Sequence, residues 1–214
     1  MARSSHPAWP GEAEPGDAGP FDSVGFDAIV LSGGTARRMG GLAKTALILD
    51  GRPVLGRVTD ALCHARRVVV VGDASGASRA DVSTREEPPG SGPVGALAAG
   101  LIHTAAPVVA LVAGDLPLLT VDAVAALVAA VASKDAAMVL DESGAEQYLL
   151  AAWRRAALSD RLAAVAVDAP VRRLYAGVDA VRVRLGGHPP PWWDCDTPEQ
   201  FAEAQRWLQE ERTP

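Results

Sequence analysis

Asp27-Ala28-Ile29-Val30-Leu31-Ser32-Gly33-Gly34-Thr35-Ala36-Arg37-Arg38-Met39-Gly40-Gly41-Leu42-Ala43-Lys44 joins a short apolar run to a loop holding four glycines in ten residues. The run from Asp27 to Ser32 reads as a buried strand, and the glycines after it let backbone N–H groups converge on an anion without Cβ clashes. Arg38 adds a planar fork able to grip phosphate oxygens and Lys44 a point charge. A strand feeding such a loop describes a triphosphate cradle in an α/β protein. It is not a Walker loop, because two residues separate Gly41 from Lys44. Nor is it the dinucleotide fingerprint, since Gly33 and Gly34 are adjacent and Arg37 occupies the third glycine position.

Outward from this loop, short β-branched runs alternate with longer Ala/Leu runs, the signal for βαβ units and a parallel sheet. Strands are predicted at Asp27–Ser32, Arg67–Gly72, Val82–Glu86, Val108–Ala113, Ala136–Leu140 and Gln147–Trp153. Helices are predicted at Val54–His64, Val94–His103, Val121–Ser133 and Arg154–Val167. The fold class is therefore α/β, a three-layer α/β/α arrangement on a Rossmann-like, mostly parallel sheet. Pro53 suits a first helical position and Thr120 a cap. Thr197-Pro198-Glu199-Gln200 fits a capping box that opens a last helix running to about Glu210. Between Ala169 and Pro191 the pattern is irregular, as expected of an insertion at the mouth of a cleft.

Composition bounds the function. The 214 residues suffice for one domain, read as residues 25–212, behind a Pro/Gly/acid-rich segment, residues 1–24, that is expected to be a disordered tail. That segment lacks the apolar stretch of an export signal, and no apolar run is long enough to span a membrane, so a cytoplasmic protein without a membrane partner is expected. A net charge of −6 excludes general attraction to nucleic acid. Cys63 and Cys195 are far apart, without metal-ligand spacing, and read as reduced thiols. Homo-oligomerisation stays open.

Three further constellations carry chemistry. Glu86-Glu87-Pro88-Pro89-Gly90-Ser91-Gly92-Pro93-Val94 sets acids and a Gly/Pro turn before a helix, and such a turn can press flat against a base. Asp115 follows Gly114 at the end of the Val108–Ala113 run, where open α/β sheets place ligands. Asp before Leu-Pro also caps turns; with the loop upstream, a hard oxygen ligand for Mg²⁺ is the favoured reading. Asp194-Cys195-Asp196 leads into the last helix, Gln147-Tyr148 opens a strand, and Arg172 and Arg173 could meet an anionic acceptor.

Leu31-Ser32-Gly33-Gly34, then Arg38-Met39-Gly40, then Lys44, resembles the signature of the molybdenum cofactor guanylyltransferases (MobA-type) and their nucleotidyltransferase relatives. The chain departs at Ala43, where members commonly carry Asp. The resemblance implies a nucleotide-diphospho-sugar transferase-like fold and a nucleotide site of Leu31, Ser32, Gly33, Gly34, Thr35, Lys44, Glu86, Gly92 and Pro93. It implies Mg²⁺ on Asp115, with Asp196 in a segment similar to the family's closing Asn-x-Asn-Thr-Pro-Glu. Catalysis would fall to Arg38, Lys44 and Asp115, while Gln147, Tyr148 and Arg172 would face the acceptor. The implied reaction is transfer of GMP from GTP to a molybdopterin-type phosphorylated acceptor with release of pyrophosphate. Transfer of CMP or GMP to another small phosphorylated acceptor, or nucleotide binding without catalysis, are the alternatives.

Overall fold

The computed structural model of the chain describes residues 25–33 and 47–210. In chain order the elements are β1 (Phe26–Ser32), β2 (Ile48–Leu49), β3 (Arg52–Pro53), α1 (Val54–Asp60), β4 (Val68–Gly72), β5 (Val82–Thr84), α2 (Gly92–Leu101) and β6 (Val108–Ala113). There follow α3 (Val121–Ala130), β7 (Ala136–Leu140), β8 (Glu146–Arg154), α4 (Arg155–Ala164), β9 (Ala180–Arg184) and α5 (Pro198–Glu210). The main sheet has the order β5-β4-β1-β6-β8-β7-β9, and β8 alone runs against its neighbours.

The period-2 alternation of the central strands divides the core between two faces. Ala28, Val30, Val68, Val70, Ala110 and Val112 pack with Leu55 and Val58 of α1 and Val124, Leu127 and Val128 of α3. Ile29, Val69, Val71, Val109, Leu111 and Trp153 pack with Val94, Leu97 and Leu101 of α2 and Leu158 of α4. Helices on both sides of a mostly parallel sheet give the three layers expected, and near-continuous apolar strands are the composition such burial demands. Close approach of α2 depends on Gly100, where an added Cβ would stand 2.7 Å from Ile29 Cγ2 and 3.0 Å from Val71 Cγ2.

A smaller cluster of Leu49, Val54, Leu118, Cys195 and Ala204, flanked by Trp193, Phe201 and Trp207, binds α5 to the β2–β3 hairpin and to the loop after β6. Its helix begins as the sequence predicts. Gln200 N donates to Thr197 Oγ1 at 3.2 Å, and Gln200 Oε1 accepts from Thr197 N at 2.9 Å, a reciprocal cap.

Several expectations need correction. The irregular region 169–191 contains a 3₁₀ turn, Val171–Tyr175, and the edge strand β9. Its alternation of Val and Arg is a strand pattern masked by charge. Pro53 precedes the first turn of α1 and pairs with Ile48 in the hairpin. α1 stops at Asp60, because Leu62 N and Cys63 N turn to carbonyls three residues back, at 3.2 and 3.1 Å. Strand β5 ends at Thr84, and Arg154 closes β8 rather than opening α4.

Thr120 caps α3 as expected, accepting from Ala123 N at 3.1 Å. Thr120→Ala should cost about 1 kcal/mol and lower Tm by about 2–4 °C in a thermal melt; an unchanged Tm would remove the cap from the stability of α3. Among the described residues no helix is long and apolar enough to cross a membrane.

Candidate active site

From β1 the chain winds outward through β4 to β5, then crosses back to β6 on the other side of β1. The gap between the carboxyl ends of β1 and β6 is thus the sheet's switch point, the place where open α/β sheets take their ligands. Leu31 pairs with Ala113, and Gly114 N donates to Leu31 O at 2.9 Å, so pairing runs one step past the strand. This sets Ser32-Gly33, the start of the glycine-rich loop, beside Asp115. Asp115 is half-buried.

A third wall comes from β4. Ser32 pairs with Gly72 and its hydroxyl donates to Asp73 O. Gly72 has φ +117°, and a Cβ there would lie 2.7 Å from Ser32 O and 3.0 Å from Gly33 N. The Asp73 carboxylate, held below its ordinary range mainly by the Ser75 hydroxyl, also accepts from Ser75 N at 2.8 Å and fixes the turn.

On the far side of Asp115 lies the segment entering α5. Cys195 N donates to Asp115 O at 3.2 Å, which brings Asp194-Cys195-Asp196 against the β6 loop. Gln200 holds that segment, with Nε2 donating to Asp194 Oδ1 at 2.7 Å and Oε1 accepting from Asp196 N at 2.9 Å. Both aspartates are half-buried. Among the described residues no three His, Cys, Asp or Glu side chains gather into an all-protein metal cage.

The Gly/Pro turn before α2 is also fixed from within. Glu86 Oε1 accepts from Gly90 N at 3.2 Å, and the Ser91 hydroxyl donates to Pro88 O. Gly92 and Pro93 remain exposed at the first turn of α2.

Across β6, Leu150 of β8 pairs with Val112, so Tyr148, two residues earlier, reaches the same edge as Gly114. Here β8 bulges: Met138 pairs with Ala151, but Val139 pairs with Gln147. Bulges re-aim side chains beside active sites. The Tyr148 hydroxyl donates to Glu146 Oε2 at 2.7 Å, and Arg182 Nε donates to Glu146 Oε1 at 2.8 Å. Behind Tyr148, the Tyr175 ring lies 5.1 Å away, its hydroxyl donating to Tyr148 O at 2.7 Å and accepting from Trp153 Nε1 at 3.0 Å. The bond from Tyr148 holds the Glu146 carboxyl below the usual range, and the same bond raises the Tyr148 phenol, against which the charges of Arg172 and Arg182 act. Gln147 donates to Asp141 Oδ2 at 2.9 Å, within the turn that joins β7 to β8.

The carboxyl edge thus brings together Ser32, Gly33, Asp115, the Asp196 segment and the Gln147-Tyr148 pair, while the exposed Arg172 acts on Tyr148 by its charge. Gly34, Thr35, Arg38 and Lys44 lie outside the described residues. The sequence reading passed over Gly72, Asp73, Glu146 and Arg182. A signal for the first two was present, because a Gly-Asp pair stands at the carboxyl end of β4 (Gly72-Asp73) as another stands directly after β6 (Gly114-Asp115). Glu146 and Arg182 stand 36 positions apart, with nothing local to join them.

The family model of the MobA-like NTP transferase domain matches residues 28–183. A molybdenum cofactor guanylyltransferase of Vibrio cholerae is 28% identical over 180 residues, 82% of this chain and 89% of that one. One from Burkholderia orbicola is 33% identical over 176 residues, 73% and 84% of the two chains. Among solved structures, molybdopterin-guanine dinucleotide biosynthesis protein A of Archaeoglobus fulgidus superposes with a TM-score of 0.69 at 20% identity, covering 86% of this chain and 99% of that one. A 4-diphosphocytidyl-2C-methyl-D-erythritol synthase of Anaerococcus prevotii gives 0.66 at 13%, covering 90% and 100%. At these identities the likeness to the solved structures is one of fold.

Proposed function

We propose, from the premise that the chain belongs to the MobA-like NTP transferase family, that it transfers GMP from GTP to the phosphate of a molybdopterin-type cofactor. The observation that carries this reading is the meeting of Ser32-Gly33, Asp115 and the Asp194–Asp196 segment at the switch point of the sheet. Curated relatives named as molybdenum cofactor guanylyltransferases support the choice of substrates.

In the reaction an anionic phosphate oxygen of the acceptor attacks the α-phosphorus of GTP. A P–O–P bond forms, the bond between the α-phosphorus and the β-phosphate's bridging oxygen breaks, and pyrophosphate leaves with the electron pair. The acceptor phosphate has its second pKa near 6, so its nucleophile is anionic without a side-chain base. The backbone of Ser32-Gly33 begins the phosphate cradle, Arg38 and Lys44 neutralise charge on the departing pyrophosphate, and Gly92-Pro93 lies against the base.

The donor set fits Mg²⁺. That ion is usually held by one or two carboxylates plus substrate phosphates rather than by a protein cage, and Asp115 and Asp196 supply hard oxygens on two adjoining segments. When bound it would neutralise triphosphate charge.

The experiment is incubation of the protein with Mg²⁺, labelled GTP and molybdenum-loaded molybdopterin, reading label incorporated and pyrophosphate released. A parallel thermal-shift titration compares GTP, CTP and ATP. GTP at about 100 times its Kd should stabilise by about 2.7 kcal/mol, raising Tm by roughly 5–10 °C. Equal shifts with all three nucleotides would overturn the guanylyl reading.

A further inference from the structure

Beyond the motif residues, the acceptor side carries a charged group that spans two strands. Glu146 at the start of β8 receives Arg182 from β9 on Oε1, through Nε and Nη2 both at 2.8 Å, and the Tyr148 hydroxyl on Oε2. Arg182 Nη1 donates to Ala180 O at 3.2 Å. A guanidinium has five N–H donors, so these contacts fix its plane and still leave donors for a ligand. The Arg182 side chain as a whole is half-exposed, at 51%. In register, Arg182 lies beside Met138, on the face where Tyr175 and the 171–175 turn pack. Arg172 rises from that same turn, and its charge acts on the Tyr148 phenol. A half-buried ring backed by Tyr175 thus stands among two arginines, one of them held by a carboxylate.

We propose that Arg182, held in place by Glu146, is a specificity-determining residue that works with Arg172 and Tyr148 to take the phosphate end of a flat heteroaromatic acceptor. This deepens the guanylyltransferase reading and rests on it for the acceptor's class. Glu146 is a positioning residue: it orients the phenol and the guanidinium with one carboxylate, and a phosphate monoester can engage the guanidinium's remaining fork. Tyr148 lies inside the β8 bulge, between the residues paired with Met138 and Val139.

The test uses the full chain and two fluorescent probes, 6-hydroxymethylpterin phosphate and unphosphorylated 6-hydroxymethylpterin, with binding read from the change in pterin fluorescence. Wild type should bind the phosphorylated probe more tightly than the unphosphorylated one. Arg182→Gln should weaken the phosphorylated probe about tenfold or more, the loss expected for a charge-assisted hydrogen bond. Its binding of the unphosphorylated probe, its Tm and its affinity for Mg-GTP should stay at wild-type values. Glu146→Gln should shift the phosphorylated probe in the same direction, and Arg182→Lys should fall between wild type and Arg182→Gln. Arg182→Gln binding both probes like wild type, or losing both equally along with Tm, would overturn the proposal, as would a wild type that does not distinguish the probes. GMP transfer by the wild type is assayed separately. Its failure beside an intact pterin-phosphate preference would remove the guanylyl reading and leave Arg182 in its role; transfer without that preference would do the reverse.

Discussion

Asp115→Asn should fold like wild type and lose about 10²–10³-fold in GMP transfer, the scale of removing one preorganised electrostatic group from an active site. Asn keeps the size of the side chain and leaves Asp115 O free to accept from Cys195 N, so the β6 loop and the entry to α5 should hold their places. What disappears is the formal charge that makes the carboxylate a strong ligand for a hard cation. If Mg²⁺ is held as proposed, raising its concentration should recover part of the rate, because substrate oxygens and the segment containing Asp196 would still supply ligands. The measurement is single-turnover GMP transfer at several Mg²⁺ concentrations, with a thermal melt as the control for folding. A wild-type rate would take Asp115 out of the reaction altogether.

Gly72→Ala should be the most damaging small substitution near the site. The new methyl would meet the Ser32 carbonyl oxygen at 2.7 Å and carbon at 2.8 Å, both backbone atoms that no rotamer change can move aside. The φ of +117° adds backbone strain for any L side chain. Together these should cost about 2–3 kcal/mol and roughly 5–10 °C in Tm. Because the atoms it would displace belong to Ser32 and Gly33, where the proposed phosphate cradle begins, nucleotide affinity should fall as well. Gly144→Ala serves as the control, since it also has positive φ but nothing within 4 Å of its Cβ position. If the two variants lose equal stability and both keep wild-type GTP binding, the close packing of Gly72 on Ser32 has no part in holding the loop.

The central strands were legible because strands buried on both faces read as unbroken apolar runs; Val108–Ala113 and Ala136–Leu140 match residue for residue. β9 was not legible. An edge strand needs only one apolar face, and Arg182 and Arg184 gave it the look of a solvated loop. The end of α1 escaped for a different reason, since Ala61 and Leu62 are good helix formers while the amides of Leu62 and Cys63 turn to carbonyls three residues back. Within the site, Asp115 could be found because strand, glycine and acid are consecutive. Gly72 could not be ranked above the other glycines, because what makes it irreplaceable is a neighbour 40 positions earlier in the chain. Glu146 and Arg182 meet only once β8 and β9 are laid on either side of β7.

The bond between Cys195 N and Asp115 O, with Trp193, Phe201 and Trp207 packed behind it, makes the segment leading into α5 part of the carboxyl edge of the sheet. A ribosome could release everything through β9 and still have delivered a protein whose carboxyl edge is open on one side. Competence would then wait on the docking of α5 and of the segment that leads into it. The same coupling means that a fusion or a nick behind residue 190 would be felt at residue 115, although the two are separated by most of the second half of the chain.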